Sequence, residues 1–408
     1  MSSINIVGLG YIGLPTALMF AKSGLKVVGT DYKKEIVDSL SQGKLFFEEE
    51  GLKELFEAAQ ANGIEFSTEY FKTDTYILAV PTPYIEESKK LDPVYVISAV
   101  KSVLDVCEKG AAIIIESTIS PGTIDRHIRP VIEERGFVIG KDVHLLHAPE
   151  RIIPGNMVYE LEHNSRTIGA DNLEVAAMIK ELYASFCKSD IVLTDIRSAE
   201  MSKVVENTFR DVNIAFANEL AKICRNDGMD VYEIIRIANK HPRVNILQPG
   251  PGVGGHCISV DPWFLVGDYP DLTNLILSAR KINDSMPEHV LGRIRDIMRE
   301  HNIKDITKVG LYGLAYKENV DDTRESPTLQ LLERMDEHLA FGVKVFDPFV
   351  KEQMVDDQVM DFKKFINEVE IVVLMVGHDH IKENMDLLKD KLVLDMKNIS
   401  ELEGVYKL

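Results

Sequence analysis

The chain is short of positive charge: 46 Lys and Arg stand against 65 Asp and Glu, a formal net charge of −19 over 408 residues. It has one tryptophan and four cysteines, and it lacks any long apolar run. Each shortage excludes something. The acidic balance argues against nucleic acid and against an anionic membrane surface, which both demand a basic footprint. Small anions remain possible, because they respond to local Lys and Arg. Cys107, Cys187, Cys224 and Cys257 show neither CxxC nor zinc-ribbon spacing, which fits free thiols in a reducing compartment. The longest apolar runs, such as residues 371–376, fall far below a membrane span. No basic n-region or cleavage pattern precedes the first apolar strand, so a cytoplasmic location is expected. Length suggests two or three domains.

What is present is an alternation of strand and helix. Residues 4–7 read as a strand, followed by Gly8-Leu9-Gly10-Tyr11-Ile12-Gly13, a helix over 14–23 closed by Gly24, and a strand over 26–29 running to Asp31. Strand, glycine turn, helix, strand and acid form the dinucleotide fingerprint, with the acid about 20 residues past the glycines. Gly8 allows the tight turn, Gly10 lets a pyrophosphate approach, and Gly13 lets helix and strand pack, with the helix N-terminus facing the phosphates. Asp31 can accept from both ribose hydroxyls and would repel a 2′-phosphate, so the expected cofactor is NAD rather than NADP. The bland alternative is a tight βα turn with no ligand.

Further strands are expected over 76–80, 112–115, 143–146, 166–169 and 191–194, with helices over 93–107 and 121–135. Thr82, Thr118 and Glu150 follow strand C-terminal ends, where open α/β sheets bind ligands; capping of the next turn explains them equally well. One long helix is expected over 198–226. Met201, Val204, Val205, Thr208, Val212 and Ala215 give it an apolar face, and Glu200, Lys203, Asn207 and Arg210 a polar stripe that is either solvated or ligand-facing. Helices over 231–239, 273–280 and 286–301 follow.

Residues 249–262 gather four glycines, three prolines, Cys257 and Asp261. Glycine permits close backbone approach and proline stiffens the loop. A thiol held there, just ahead of a helix start, is placed to react. Asp261-Pro262 has the form of an N-cap followed by proline, and the adjacent His256 reads as loop packing. Beyond residue 305, strands over 308–312, 343–347, 371–376 and 392–396 and a helix over 327–339 make a second doubly wound sheet, whose Gly313-Leu314-Ala315 is not a GxGxxG. The expected fold is α/β: two Rossmann-like doubly wound domains joined by a helical middle domain with a long central helix.

These motifs resemble the UDP-glucose/GDP-mannose dehydrogenase family, the NAD-dependent nucleotide-sugar 6-dehydrogenases, over essentially the whole length. The resemblance is carried by VGLGYIGLP, the PTP ending at Pro83, ESTISPGT from Glu116, APER ending at Arg151, EMSKVVENTFRDVNIAFANEL from Glu200, GPGVGGHCISVDPWF from Gly250 and LAYKENVDDTRESP from Leu314. The phrase NKHPRVNILQPGPGVGGHC is most similar to the branch that oxidises UDP-N-acetyl-D-mannosamine, with UDP-N-acetylglucosamine and UDP-glucose oxidisers as relatives. The resemblance implies a four-electron oxidation of the C6 alcohol of a UDP-N-acetylhexosamine, using two NAD, for polysaccharide biosynthesis. It implies a homodimer or higher homo-oligomer with no metal.

By the same resemblance Cys257 is the nucleophile, carrying a thiohemiacetal and then a thioester. Lys203 stabilises the oxyanion, Asn207 binds the same region, and Asp261 acts as, or through water supports, a general base. Glu150 and Thr118 match residues near the hydrolytic step and the nicotinamide. Many members carry a second glutamate four residues later; here that position is Pro154. Substrate contacts are implied for Glu150, Arg151, Lys203, Asn207, Arg210, His241, Gly254, Tyr316 and Lys317, and for Arg243, which would reach across a dimer. Cofactor contacts are implied for Gly8, Gly10, Tyr11, Ile12, Gly13, Asp31, Thr82, Thr118 and Arg324. The expected domains are 1–196 for NAD, 197–303 for dimerisation and the Cys257 loop, and 304–408 for the UDP-sugar. Two other readings stay open: a two-electron dehydrogenase of the hydroxyacid or 6-phosphogluconate type, which needs no cysteine, and a non-catalytic sensor of NAD and nucleotide sugar. Intact Lys203, Asn207, Cys257 and Asp261 argue against the sensor.

Overall fold

Strands buried on both faces read as continuous apolar runs, because parallel sheets carry helices on each side. The computed structural model, which describes residues 3–408, follows that rule in two compact units, residues 1–206 and 207–408. The boundary falls within the long helix Ile196–Asn226.

The first unit holds β1 (Ser3–Val7), β2 (Lys26–Thr30), β3 (Glu65–Ser67), β4 (Thr75–Leu78), β5 (Ala111–Ile115), β6 (Val143–His147), β7 (Arg166–Ala170) and β8 (Ile191–Thr194). Their order is β3-β2-β1-β4-β5-β6-β7-β8, parallel except where β7 runs against β6. The order reverses between β1 and β4, and the crevice at that reversal is where such sheets bind ligands. Ile4, Ile6, Ile77, Ile114 and Leu146 from the strands pack with Leu14, Ala17 and Leu18 of the helix Gly13–Lys22.

The second unit holds β9 (Val309–Tyr312), β10 (Lys344–Phe346), β11 (Ile371–Leu374), β12 (Leu392–Asp395) and β13 (Tyr406–Lys407), all parallel in the order β10-β9-β11-β12-β13. Its core is continuous from Ala217, Ala221 and Cys224 of the long helix, through Val290, Leu291 and Ile294 of the helix Met286–Glu300, to Val309, Leu311 and Val373.

The two sheets repeat one device. Gly8 has φ 91° and Leu9 N donates to Asp31 Oδ2 at 2.9 Å. Gly313 has φ 103°, and Leu314 N and Ala315 N donate to Asp347 Oδ2 at 2.6 and 2.9 Å. In each case an acid ending the second strand ties down the turn after the first. Asp347 is more fully used: Phe349 N and Val350 N bond its other oxygen, and His378 Nε2 lies 3.2 Å from Oδ2.

Local differences from the sequence reading have physical causes. The helix expected over 121–135 is split into a π turn, Ile124–Ile128, and an α segment, Arg129–Glu134. Pro130 has no N–H to continue the α ladder onto residue 126. Helices Lys34–Ser41, Leu52–Ala61, Met157–His163 and Leu173–Tyr183 were not expected; they cover the sheet of the first unit and its edges. The polar stripe of the long helix is buried at Glu200, Lys203 and Asn207, and exposed at Arg210. Its expected apolar face is divided, with Val204, Thr208 and Ala215 buried and Val205 exposed.

Candidate active site

In the first unit the glycine turn has the shape that a dinucleotide needs. A Cβ at Gly8 would lie 2.5 Å from the carbonyl oxygen of Ala79, and one at Gly13 would collide with the carbonyl of Gly8. Gly10 is exposed, with nothing within 4 Å of where its Cβ would be. Two glycines are thus demanded by packing and the third faces open space at the helix N-terminus, which fits a pyrophosphate. Ile12 occupies the N-cap position of that helix, and Tyr11 packs on Phe47 with ring centroids 4.5 Å apart. Asp31 takes one backbone N–H on each oxygen, from Leu9 and from Lys33, both at 2.9 Å. Each oxygen keeps a second lone pair for a ribose hydroxyl.

At the carboxyl edge of the same sheet lie Thr82, buried, and Thr118, half-buried. The neighbouring Ser117 hydroxyl donates to Val80 O at 2.7 Å and so joins the ends of β4 and β5. Glu150, just past β6, is buried; its Oε1 accepts from Arg151 N at 2.6 Å and its Oε2 from Arg166 Nη2. Arg151 is committed elsewhere. Its guanidinium grips Glu206 at 2.5 and 3.0 Å, Ser165 O at 2.6 Å and Thr167 Oγ1 at 3.1 Å. Glu200, at the start of the stripe, accepts from Gly122 N and from Ile124 N, the latter at 3.0 Å. Burial pushes its carboxyl up to about 7 against those two bonds. Its use is to cap the π turn. Lys203 is buried one turn further along.

In the second unit the loop carrying Cys257 is fixed at several points. Gly250 N donates to Asn218 Oδ1 at 2.9 Å, and Gly255 N to Arg324 O at 2.9 Å. Added Cβ atoms at Gly254 would lie 2.6 Å from Glu325 O and 2.7 Å from Tyr316 Cβ, and at Gly255 2.8 Å from the Tyr316 ring. These glycines are there because Tyr316 and residues 325–327 leave no room for side chains. Cys257 is half-buried and unbridged. Its carbonyl accepts from Val260 N at 3.2 Å and Asp261 N at 2.9 Å, a tight turn leading into the helix Asp261–Asp268.

That turn corrects one expectation. Val260, not Asp261, holds the N-cap position, and Asp261 is the first helical residue. The Asp261 carboxylate instead accepts from Asn207 Nδ2 at 2.6 Å, with both residues buried. A side chain committed to a partner on another helix does not fold back onto its own.

Of the other expected residues, Arg210, His241 and Arg243 are exposed, and Tyr316 and Lys317 are half-buried. Burial pushes the Tyr316 hydroxyl well above its ordinary range. Arg324 pairs with Asp322 in the same segment, Nη2 to Oδ2 at 2.6 Å. Sequence reading missed the residues that hold this apparatus. Asn213 bonds Asn245 O at 2.8 Å and Leu247 N at 2.9 Å, strapping the chain before the loop onto the long helix. Asp211 accepts from Arg280 at 2.6 Å and Asn283 at 2.8 Å, and Asn218 bonds Asn283 at 2.9 Å. The steps from Asn207 to Asp211 to Asn218 return to one helix face, and that polar spacing was the available signal. Among the other cysteines, Cys187 and Cys224 are buried in the cores, and burial pushes the Cys107 thiol up.

Comparison with known proteins agrees with this geometry. The UDP-glucose/GDP-mannose dehydrogenase family matches along the chain: its NAD binding domain at residues 2–187, its central domain at 197–285 and its UDP binding domain at 310–401. A UDP-N-acetyl-D-mannosamine dehydrogenase of Methanococcus aeolicus is 42% identical, over 98% of this chain and 91% of its own. An NDP-N-acetyl-D-galactosaminuronic acid dehydrogenase of Ralstonia solanacearum is 38% identical, over 97% and 96%. The solved UDP-N-acetyl-mannosamine dehydrogenase Cap5O of Staphylococcus aureus superposes with a TM-score of 0.89 at 41% identity, covering 100% of this chain and 98% of its own. The chain therefore belongs to the UDP-glucose/GDP-mannose dehydrogenase family, and it is an NAD-dependent nucleotide-sugar dehydrogenase.

Proposed function

We propose that this enzyme oxidises the C6 alcohol of UDP-N-acetyl-D-mannosamine to the carboxylate through a thioester on Cys257. The observation that carries the reading is the Cys257 turn, pinned between Gly255 and the Asp261 helix, with Asp261 bonded to Asn207 at 2.6 Å. A two-electron dehydrogenase needs no such thiol. The sugar is assigned on the relative 42% identical over nearly the whole chain.

Bound NAD supplies the hydride acceptor, twice per turnover. The glycine turn and Asp31 hold it. Asp261, oriented by Asn207, takes the C6 hydroxyl proton directly or through water. The Cys257 thiolate adds to the C6 aldehyde, forming a C–S bond, and Lys203 stabilises the resulting oxyanion. Oxidation of that thiohemiacetal leaves a thioester. Water attacks its carbonyl, the hydrolytic step to which the family resemblance assigns Glu150 and Thr118; the C–S bond breaks and the thiolate returns. The balance is one alcohol, two NAD⁺ and one water giving one carboxylate, two NADH and three protons. Tyr316, Lys317, Arg210, Arg243, His241 and Gly254 bind the nucleotide sugar, Arg324 contacts NAD, and the functional segments are 1–196, 197–303 and 304–408.

The working unit in this reading is a homodimer in the cytoplasm. Val205, Phe209, Phe216 and Ile223 form an apolar row along the long helix, 46%, 62%, 50% and 54% exposed, which favours a partner surface. Among the described residues no helix is long and apolar enough to cross a membrane.

The test is NADH formation with UDP-N-acetyl-D-mannosamine, UDP-N-acetylglucosamine, UDP-N-acetylgalactosamine, UDP-glucose and GDP-mannose. UDP-N-acetyl-D-mannosamine is expected to give the highest kcat/KM and two NADH per sugar. A better rate with another sugar overturns the substrate assignment, and one NADH per sugar overturns the thioester route. Cys257→Ser is expected to form no acid.

A further inference from the structure

Three charged side chains meet inside the first unit, and the reading so far uses only one. Glu116 follows β5, Glu150 follows β6 and Arg166 opens β7; they are 1%, 6% and 3% exposed. Arg166 Nη2 donates to Glu150 Oε2, and Nη1 lies 3.4 Å from Glu116 Oε1. The Tyr183 hydroxyl donates to the same Glu116 oxygen at 3.2 Å. The guanidinium lies over the rings of Tyr183 and Phe186, 4.6 and 5.3 Å from their centroids. A buried ion cluster is a costly way to fill a core, since apolar residues of similar volume do it as well or better.

Two carboxylates on one buried cation balance only if one of them keeps a proton. Burial pushes Glu116 up to about 8, with Arg166 opposing and Glu150 adding to the rise. Burial works against the charge on Arg166, but Glu150 and Glu116 together hold it above its ordinary range. Tyr183, Cys187 and the hydroxyl of Thr16 are the other groups facing the cluster. At neutral pH Glu116 therefore keeps its proton while Arg166 stays charged.

We propose that Arg166 is a positioning residue for Glu150, and that Glu116 is a proton-holding partner which leaves the guanidinium to one carboxylate. The inference rests on the reading in which Glu150 serves thioester hydrolysis. With Oε2 on Arg166 and Oε1 on the Arg151 amide at 2.6 Å, the carboxylate cannot rotate, and its free lone pairs keep one direction. When Glu116 loses its proton, two carboxylates share one guanidinium and Glu150 is held less firmly.

The test uses full-length protein with the nucleotide sugar that the wild type oxidises best. Arg166→Gln is expected to lower kcat about 100-fold, the scale of a misplaced catalytic group. NAD affinity stays, and the acyl adduct on Cys257 accumulates in the intact-protein mass. Arg166→Lys, which keeps the charge and loses the fork, shows the same adduct, and it replaces Arg166→Gln should that variant not fold. The wild type is expected to lose kcat as pH rises through about 8, and Glu116→Gln to remove that fall. An active wild type whose Arg166 variants build no adduct, or a Glu116→Gln profile identical to wild type, overturns this inference alone. A wild type that forms no NADH overturns the functional reading and this inference with it.

Discussion

Asn207 and Asp261 lie 54 residues apart and share a bond of 2.6 Å. Both residues are buried, and removing Asn207 takes one donor from the Asp261 carboxylate, a loss that costs stability because hydrogen bonds to buried charged groups are among the stronger ones. Asn207→Ala is expected to destabilise the protein by about 2 kcal/mol in chemical denaturation. Asp261→Asn should fold and bind NAD normally while kcat falls about 1000-fold, the scale of a lost general base; steady-state kinetics and NAD titration decide this. Glu116 makes a separate prediction through pH. Its folded carboxyl binds a proton that the unfolded chain releases above about 4.5, so its contribution to stability is largest in acid and is lost as pH rises toward about 8. Glu116→Gln should flatten the decline of Tm with pH across that window, and an unchanged slope refutes the assignment.

At the scale of elements, the Cys257 loop is held by what its glycines exclude. Gly254→Ala puts a Cβ 2.6 Å from a backbone oxygen that cannot swing aside, and overpacking of this kind costs about 2 kcal/mol. Thermal melts and kcat should fall together, since the same shift moves Cys257. The element types were largely legible in the sequence. The GxGxxG turn follows from its glycine motif, the long helix from a spacing of 3.6 residues and most strands from continuous apolar runs, whereas the short edge strands β3 and β13 carry no such run and were not expected. The Asp261 cap was not, because a helix start is chosen by which partner takes the carboxylate, and Asn207 is invisible to a local motif. The divided apolar face of the long helix was hidden for a similar reason: periodicity finds a face but not what covers it.

At the scale of the molecule, a net charge of −19 coexists with a reading in which Arg210, Arg243 and Lys317 serve an anionic substrate and Arg324 an anionic cofactor. Global charge and local charge are separate quantities. The exposed row along the long helix makes the molecular prediction. Phe209→Asp with Phe216→Asp should convert a dimer to a monomer in sedimentation equilibrium, and a wild-type monomer sinks the dimer assignment. The sequence alone determined the α/β class, the dinucleotide turn, the family and the candidate Cys257, because each is written in contiguous residues or short periods. Only the tertiary structure decided which polar groups meet. Arg166 could face Glu116 and Glu150 only once β5, β6 and β7 lay side by side, 3.4 Å separating Arg166 from Glu116. Strand pairing is set by apolar burial, which has no memory of charge, so buried partners are chosen by topology and cannot be read along the chain.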